Sequence, residues 1–289
     1  MTDIDTSKTA SKIIDGRAVA SKVEAEAAAA ILKLKEKGIS PKLVTVLVGA
    51  DPASQMYVRM KHKACERVGI LAENCLRPAD ITEEELFAVI DDLNKDKTVS
   101  SILVQLPLPR HINEKAIMNA ISPNKDPDGF HPVHMGNLMV NEEGLVPCTP
   151  KGIIRLMDEY NVDIKGKNAV VIGRSNIVGK PMAILLLNEH CTVTLCHSRT
   201  ADLAGEVKQA DIVIAAVGKA GIITGDMIKP GSVVIDVGTN RIDGKLTGDV
   251  DFDSAVKTAG YITPVPGGVG PMTIAMLMRN TMNTYFKNN

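Results

Sequence analysis

A phenol and an amine one helical turn apart form the first candidate catalytic group. In the segment YVRMK, Tyr57 and Lys61 lie four residues apart, and such positions share one face of a helix. A lysine in a dry pocket can take part in proton transfer, while a nearby tyrosine orients the substrate. The same spacing also occurs by chance on helix surfaces, so the pair indicates an active site only where further polar residues join it.

Such residues follow at a strand end and in a loop. Gln105 lies near the end of the apolar run SILVQL, before two prolines that stop the strand, and open α/β sheets bind their ligands at the carboxyl ends of strands. Its amide could hold a lysine ammonium. In KDPDGFHP, Asp126 and Asp128 could accept paired N–H donors from a heterocycle. Asp-Pro-Asp-Gly is also an ordinary turn sequence, so a purely structural role for Asp128 stays open.

A glycine turn indicates a second site. The segment KNAVVIGRSNIVGKP, Lys167 to Pro181, is typical of a strand buried on both faces, a turn and the start of a helix. Gly173 allows the tight turn, and Gly179 lets the helix pack closely. Unpaired N–H groups at such a helix start bind phosphate, so a dinucleotide is the expected ligand. The spacing G-x-S-x-x-x-G differs from the more familiar G-x-G-x-x-G, and an ordinary strand-to-helix turn remains the alternative.

The residues after the next strand bear on the choice of cofactor. In NAD-binding sheets an acidic residue about 20 residues beyond the glycines binds the ribose 2′-hydroxyl, whereas an arginine accommodates a 2′-phosphate. Here His197, Ser198 and Arg199 stand at the strand end, with no carboxylate before Asp202. Arg174 lies in the glycine turn itself, and arginine binds phosphate through two oxygens. The sequence therefore predicts NADP rather than NAD, unless both arginines are only solvated surface charges.

Composition limits the class of protein. A chain of 289 residues is long enough for two domains. A net charge of −1 and an aromatic content of 3% argue against nucleic-acid binding. No segment reaches the ~18 apolar residues of a membrane helix, and the first dozen or so residues are predicted to be a loose polar leader. The five cysteines form no C-x-x-C pair, and His131, His134 and His197 lack a helical ligand spacing. We therefore expect reduced thiols, no metal and a cytoplasmic protein.

Two α/β domains are predicted from the hydrophobic pattern. Apolar runs bounded by glycine and proline indicate parallel strands, and helical spacing with capping residues indicates the helices between them. We expect strands at residues 43–48, 70–76, 101–106, 168–172, 192–196, 211–217 and 232–237, and helices at 16–38, 51–68, 82–94, 149–160, from 179, and at 272–286. Residues 121–135, rich in Pro, Asp, Gly and His, are predicted to form a functional loop without secondary structure.

Six motifs, in this order along the chain, resemble those of the bifunctional methylene-tetrahydrofolate dehydrogenase/methenyl-tetrahydrofolate cyclohydrolase family. They are ASQMYVRMKHKACERVGI, SILVQLPLP, KDPDGFHP, PCTPKG, VVIGRSNIVGKPMA and PVPGGVGPMT. The resemblance runs from about Ile14 to the C-terminus. It implies a folate-binding catalytic α/β domain at residues 1–148, a Rossmann-type NADP-binding domain with a parallel sheet at 149–271, and a last helix, 272–289, that returns to the first domain. It also implies a homodimer with a role in one-carbon metabolism and purine biosynthesis.

The family reaction implied by this resemblance has two steps. NADP oxidises 5,10-methylene-tetrahydrofolate to the methenyl form, and water then opens the ring to give 10-formyl-tetrahydrofolate. By matching motifs, Lys61 is the central catalytic residue, Gln105 hydrogen-bonds it, Tyr57 orients the substrate and Asp128 binds the pterin edge. The resemblance places Gly173, Arg174, Ser175, Ser198, Arg199 and Thr239 at the cofactor, and adds Pro266, Gly267 and Gly268 to the substrate site.

Two positions depart from the family pattern, and two other functions stay open. Pro127 replaces a β-branched residue, which could stiffen the approach to Asp128, and Thr239 replaces an isoleucine whose backbone meets the cofactor. A shikimate-type NADP dehydrogenase also places a lysine-bearing α/β domain before a Rossmann domain, but it does not account for YVRMK, QLPLP and PGGVGPMT together. A non-enzymatic dinucleotide-sensing subunit would leave the four catalytic candidates without a role.

Overall fold

The computed structural model describes residues 12–288, which form two compact units. One unit comprises Ser21–Cys148 and the chain from Ile274 onward, and we call it the Lys61 unit. The other comprises the described residues up to Ala20 and Thr149–Thr273, and we call it the Gly173 unit. The fold class predicted from the sequence, α/β with parallel sheets, a Rossmann-type unit and a last helix that groups with the first half of the chain, is confirmed.

The helices and strands alternate along most of the chain. In order they are α1 Gly16–Lys35, β1 Lys42–Val48, α2 Pro52–Val68, β2 Leu71–Arg77, α3 Glu83–Lys95, β3 Ser101–Val104, α4 Glu114–Ala120, α5 Pro132–Met139, α6 Cys148–Glu159, β4 Asn168–Ile172, α7 Gly179–Asn188, β5 Thr192–Cys196, α8 Leu203–Gln209, β6 Ile212–Ala215, β7 Val233–Asp236, β8 Asn240–Ile242, β9 Lys245–Thr247, α9 Phe252–Ala255, β10 Tyr261–Ile262 and α10 Val269–Asn288.

The Lys61 unit is built on a parallel sheet in the order β2-β1-β3. The central strand β1 and its neighbour β3 are apolar and almost wholly buried, whereas the edge strand β2 is largely exposed. Leu86 of α3 and Ile117 of α4 are fully buried in the core that covers this sheet. Since parallel strands need crossover connections, the helices between the strands cover the sheet and leave the strand ends for ligands.

The Gly173 unit contains a parallel sheet in the order β10-β7-β6-β4-β5. Strand β4 comes first in the chain, β5 pairs on one side of it and β6 on the other. The strand order therefore reverses between β4 and β6, and open sheets of this kind bind ligands beyond the carboxyl ends of the strands at such a reversal. Strands β6 and β7 are fully buried, as the sequence pattern predicted, and they are apolar except for Asp236 at the end of β7.

Local sequence signals fix several helix ends. The side chain of Asp51 accepts a hydrogen bond from the N–H of Ser54 at 2.7 Å and caps α2, which ends at Gly69 with a left-handed φ of 85°. Thr82 and Glu85 form the predicted capping box at the start of α3, each side chain bonded to the backbone of the other. These caps satisfy N–H groups that a helix cannot pair internally.

The prediction of a continuous loop at residues 121–135 was wrong. A short 3₁₀ helix occupies Pro123–Lys125, and α5 begins at Pro132. The ring of His131 caps α5 by accepting a hydrogen bond from the N–H of Val133 at 3.2 Å. Proline is tolerated in the first turn of a helix, where its missing N–H would have no partner. Helices α4, α8 and α9, the β8–β9 hairpin and strand β10 were also absent from the predicted elements, and each is short.

The two ends of the chain were predicted to be a polar leader and a terminal helix. Residues 1–11 of the predicted polar leader lie outside the described residues. The last helix, α10, starts at Val269, three residues before the predicted start. Within residues 12–288, no helix combines the length and the apolar character that crossing a membrane requires.

Candidate functional site

Lys61 and Gln105 meet at the carboxyl end of the sheet in the Lys61 unit. Lys61 lies on α2, partly buried, and its Nζ donates a hydrogen bond of 3.0 Å to Oε1 of Gln105. Gln105 directly follows β3, and its Nε2 donates to the carbonyl of Leu106 at 2.8 Å. This second bond orients the amide so that its oxygen faces the amine. The pair gives a lysine side chain a fixed direction at a ligand-binding edge.

Asp128 lies close enough to Lys61 for their charges to interact. Burial raises the pKa of the Asp128 carboxyl to about 6; the Lys61 ammonium acts in the opposite direction, and the Asp126 carboxylate adds to the rise. A carboxyl group with such a pKa changes its charge near neutral pH, which is frequent at functional sites.

Asp126 organises the loop that carries Asp128. Its side chain is buried; Oδ1 accepts hydrogen bonds of 3.1 Å from the N–H groups of Asp128 and Gly129, and Oδ2 accepts one of 2.8 Å from the N–H of His131. Burial raises the pKa of Asp126 against the effect of these donors. The turn interpretation of the Asp-Pro-Asp-Gly sequence thus applies to Asp126, and Asp128 is the residue that the turn presents.

The last helix supports the same loop from beneath. Asn280 of α10 is fully buried, and its Nδ2 donates to the carbonyls of Pro127 at 2.9 Å and Val146 at 3.1 Å. This contact uses only the carbonyl of residue 127, which a proline retains. Asn280 was not among the candidates from the sequence, because a single asparagine within a long helix carries no local signal.

Tyr57 stands one turn before Lys61 on α2 and is 45% exposed. Within residues 12–288 its hydroxyl has no hydrogen-bond partner, so both the ring and the hydroxyl are accessible to a ligand. On the next turn His62 contacts the sheet, with Nε2 3.2 Å from Oγ1 of Thr45. Burial lowers the pKa of His62, consistent with a neutral ring at this contact.

The glycine turn in the Gly173 unit has no room for side chains at two positions. Gly173 has a φ of 117°, and a Cβ there would lie 2.1 Å from the carbonyl oxygen of Ala216. A Cβ at Gly179, the first residue of α7, would lie 2.0 Å from the carbonyl oxygen of Gly173. Both contacts are shorter than any van der Waals separation, so the geometry requires glycine at each.

Ser175 caps the start of α7. Its Oγ accepts hydrogen bonds from the N–H groups of Val178 at 3.2 Å and Gly179 at 3.3 Å. A serine hydroxyl that accepts in this way still has its own hydrogen, which can be donated to a phosphate oxygen. The residue therefore stabilises the turn and presents a donor at the same place.

Two arginines stand near this corner. Arg174 is exposed in the turn, and Ser198 and Arg199 are exposed just beyond β5. The turn and the end of β5 are adjacent, since the N–H of Gly173 donates to the carbonyl of Cys196 at 2.9 Å. In the part of the chain that the structure describes, neither guanidinium has an ion-pair partner. Both are therefore available to an anionic ligand.

The remaining candidates also lie in the Gly173 unit. Thr239 is exposed between β7 and β8. Pro266, Gly267 and Gly268 form a turn in which the N–H of Gly268 donates to the carbonyl of Pro264 at 2.8 Å. The structure thus brings Lys61, Gln105 and Asp128 together in one unit and the glycine-turn residues together in the other. The binding and catalytic roles of all these residues stay predictions.

The described residues contain neither a disulfide nor a cluster of metal ligands. All five cysteines lie in the described range, none forms a disulfide, and four are buried. Among the described residues, no three His, Cys, Asp or Glu side chains cluster closely enough to hold a metal ion.

The two units together define a class of protein. A parallel sheet with a glycine turn at its strand-order reversal is the Rossmann type of dinucleotide-binding unit, and the second unit presents an oriented lysine beside a carboxyl group. The chain belongs to the tetrahydrofolate dehydrogenase/cyclohydrolase family. The model of the family's catalytic domain matches residues 14–128, and that of its NAD(P)-binding domain matches residues 147–289. The resemblance inferred from the six motifs is confirmed.

Individual relatives match along nearly the whole chain. The bifunctional protein FolD of Moorella thermoacetica is 58% identical over 272 residues, which cover 94% of this chain and 97% of the relative. The solved structure of the bifunctional FolD enzyme from Campylobacter jejuni has a TM-score of 0.94 and 48% identity, covering 96% of this chain and 99% of that one. The FolD enzyme of Trypanosoma brucei, solved with NADP and an inhibitor, has a TM-score of 0.90 and 43% identity, covering 95% and 97%.

A shikimate dehydrogenase is a far more distant match. The enzyme from Thermus thermophilus has a TM-score of 0.50 and 12% identity, covering 86% of this chain and all of that one. Similarity at this level shows a shared fold alone.

Proposed function

We propose that this chain is a bifunctional enzyme of one-carbon folate metabolism. It oxidises 5,10-methylene-tetrahydrofolate to 5,10-methenyl-tetrahydrofolate with NADP, and it hydrolyses the methenyl compound to 10-formyl-tetrahydrofolate. The observation that carries the proposal is the 3.0 Å hydrogen bond from Lys61 to Gln105, with Asp128 within range of the same amine. The bifunctional names of relatives that are more than half identical to this chain support both activities.

The glycine turn has the features that NADP requires. Gly173 and Gly179 keep the backbone free of side chains where the phosphates approach, and Ser175 offers a hydroxyl. Arg174 and Arg199 supply positive charge for a 2′-phosphate, in agreement with the NADP held by the Trypanosoma brucei relative. When bound, NADP accepts the hydride that leaves the one-carbon bridge. The backbone of Thr239 can meet the cofactor whatever its side chain.

Asp128 and Tyr57 are assigned to the folate. The two oxygens of an Asp128 carboxylate can accept the adjacent N–H donors at the edge of the pterin ring, a paired geometry that favours a heterocycle over a single amine. The exposed ring of Tyr57 can lie against the substrate on the side of the helix that Lys61 also faces. We assign Pro266, Gly267 and Gly268 to the substrate as well, on the strength of the motif alone.

Lys61 is assigned to proton transfer in the hydrolytic step. As an amine it takes a proton from the water molecule whose oxygen bonds to the methenyl carbon. As an ammonium it returns that proton to the ring nitrogen while the carbon–nitrogen bond breaks. The new hydroxyl releases its own proton to water as the formyl group forms. Gln105 holds the lysine in the required direction through its oriented amide.

A spectrophotometric assay tests the function. The full chain is mixed with methylene-tetrahydrofolate and either NADP or NAD, and the methenyl product is followed as it forms and decays. We expect product with NADP, and we expect Lys61→Met to abolish hydrolysis of supplied methenyl-tetrahydrofolate. Lys63→Met, an exposed lysine on the same helix, is the matched control. Absence of product with both cofactors would exclude the dehydrogenase, and unchanged hydrolysis in Lys61→Met would exclude the assigned role of Lys61.

We also propose a cytoplasmic homodimer. The edge strand β5 ends the sheet of the Gly173 unit. Leu195 on this strand is 37% exposed, and Leu187 on the preceding helix α7 is 59% exposed. A second copy that covered this edge would remove unpaired strand groups and apolar surface from water. Light scattering during gel filtration would give a mass near twice 30.9 kDa if the proposal holds.

The two alternative functions predict different results in this assay. A shikimate-type dehydrogenase would turn over shikimate with NADP and would leave methylene-tetrahydrofolate unchanged. A sensing subunit would bind the dinucleotide without turnover. The same assay, run with both substrates, separates the three functions.

A further inference from the structure

Two buried carboxyl groups at the carboxyl end of the sheet in the Gly173 unit have no part in the chemistry above. Asp236 ends β7, and Asp249 follows the β8–β9 hairpin. Their residues are only 4% and 0% exposed. Burying a carboxylate is costly unless hydrogen bonds compensate it, so the partners of each group show what it holds.

Asp249 joins two separate segments of backbone. Its Oδ2 accepts hydrogen bonds from the N–H groups of Val217 at 2.7 Å and Gly218 at 3.0 Å, just after β6. Its Oδ1 accepts a hydrogen bond of 2.9 Å from Nδ2 of Asn240, at the start of β8. One side chain therefore connects the segment after β6 with the segment after β7.

Asp236 holds Asp249 in position. Its Oδ1 accepts hydrogen bonds of 2.9 Å from the N–H groups of Gly238 and Asp249, and its Oδ2 accepts one of 2.9 Å from the N–H of Val250. Glycines make the space for both groups. A Cβ at Gly248 would lie 1.8 Å from Oδ2 of Asp236, and one at Gly238 would lie 2.3 Å from Oδ1 of Asp249.

The segment after β6, one of the two that Asp249 connects, borders the glycine turn. Strand β6 is the neighbour of β4 across the strand-order reversal. A Cβ at Gly173 would lie 2.1 Å from the carbonyl oxygen of Ala216 and 3.5 Å from Cγ1 of Val217. Thr239, assigned to the cofactor, directly precedes Asn240. A shift of a few tenths of an ångström after β6 would change the space beside the turn, and a similar shift before Asn240 would move Thr239.

We propose that Asp249, supported by Asp236, is a positioning residue for the dinucleotide, fixing residues 217–218 and 238–240 where they border NADP. This inference rests on the proposed NADP site. Asp249 acts through groups of the Gly173 unit alone, whereas the hydrolytic step is assigned to Lys61. Its loss therefore weakens NADP binding and leaves hydrolysis of supplied methenyl-tetrahydrofolate unchanged.

The test compares Asp249→Ala with a matched variant at the opposite end of the same sheet. Asp211, immediately before β6, likewise joins two segments: it accepts hydrogen bonds from the N–H of Asn168 at 3.0 Å and from Nζ of Lys229 at 2.6 Å. We expect Asp249→Ala to raise the Kd of NADP, measured by calorimetry, and its KM at least tenfold, and Asp211→Ala to change both less than twofold. Thermal melting verifies that each variant is folded.

Two further variants separate position from stability. Asp249→Asn keeps an acceptor for the N–H groups of Val217 and Gly218. The amide of Asn240 can rotate so that its oxygen accepts a hydrogen bond from the new amide. We therefore expect NADP affinity within threefold of the wild type. Asn240→Ala removes one of the two connections without opening the buried site, and we expect a Kd three- to tenfold higher. If Asp249→Ala does not fold, Asn240→Ala decides the question.

The outcomes are distinguishable. If the wild type does not bind NADP, the proposed function itself fails. If the wild type binds NADP, any of three results overturns the positioning role. The first is an NADP affinity within twofold of the wild type in the folded variants that lose these contacts. The others are an equal loss of NADP affinity in Asp211→Ala, or a loss of hydrolysis that parallels the loss of NADP affinity.

Discussion

The affinity for the pterin should change with pH through Asp128. Burial raises the pKa of this carboxyl to about 6, so its ionised fraction falls from about 0.9 at pH 7 to about 0.1 at pH 5. At the ordinary value of 3.8, the fraction at pH 5 would still be about 0.9. If only the carboxylate accepts the paired N–H donors, the Kd of a folate rises about tenfold between pH 7 and pH 5.

Calorimetric titration with folic acid measures this affinity without turnover. The wild type, Asp128→Asn and Asp80→Asn are titrated at intervals from pH 5 to pH 7.5. Asp128→Asn removes the titrating group and reports the pH dependence that comes from the ligand and from other residues. Asp80→Asn removes the same charge from an exposed position of the same unit. We expect the tenfold change in the wild type and in Asp80→Asn, and a smaller one in Asp128→Asn.

The reasoning is refuted if the wild-type Kd does not change between pH 7 and pH 5, or if the Kd of Asp128→Asn changes with pH as much as that of the wild type.

The raised pKa of Asp128 also has a consequence for stability. Because the pKa of Asp128 is higher in the folded chain than in the unfolded one, its contribution to stability is present below about pH 4 and is lost as the pH rises through about 6. We therefore expect the free energy of unfolding, measured with denaturant, to fall less between pH 5 and pH 7 in Asp128→Asn than in the wild type.

Three other substitutions test the two sites separately. Gly173→Ala places a Cβ 2.1 Å from the carbonyl oxygen of Ala216, at a residue with a φ of 117°. The backbone strain alone costs about 1–3 kcal/mol. We therefore expect a lower melting temperature and loss of dehydrogenase activity. Arg174→Ala should raise the KM for NADP about tenfold, because it removes one charge-assisted hydrogen bond to the cofactor. Hydrolysis of supplied methenyl-tetrahydrofolate should not slow. An equal loss of both activities would contradict this prediction. Asn280→Ala removes the donor that pairs the buried carbonyl of Pro127 and the partly buried carbonyl of Val146. An unpaired buried carbonyl costs about 1–3 kcal/mol, so denaturant unfolding should show a loss of that order, together with a higher KM for methylene-tetrahydrofolate.

Much of the architecture follows from local patterns. The apolar run at residues 168–172 and the glycine after it predicted β4 and its turn, and the structure shows why: buried parallel strands need apolar residues on both faces, and two positions in the turn exclude any Cβ. The capping box at Thr82 was equally predictable, because the atoms that form it are three residues apart. Errors occurred where elements are short. Gly129 and Pro132, before and at the start of α5, were interpreted as loop residues. Asp243-Gly244, which turns the β8–β9 hairpin with left-handed φ values of 49° and 76°, was not recognised.

The sequence by itself determined the family, the order of the longer helices and strands, and the residue types of both candidate sites, since these depend on local spacing and on motifs that occur in a fixed order. Only the tertiary structure decided which side chains hold the residues of the two candidate sites in place through hydrogen bonds. Asn280 contacts the loop before Asp128 from 153 residues away, and Asp249 reaches Val217 across 32 residues. Burial likewise decided that the pKa of Asp128 lies near 6 rather than near 4. Hydrogen bonds and desolvation depend on distances in space, and no spacing along the chain encodes them.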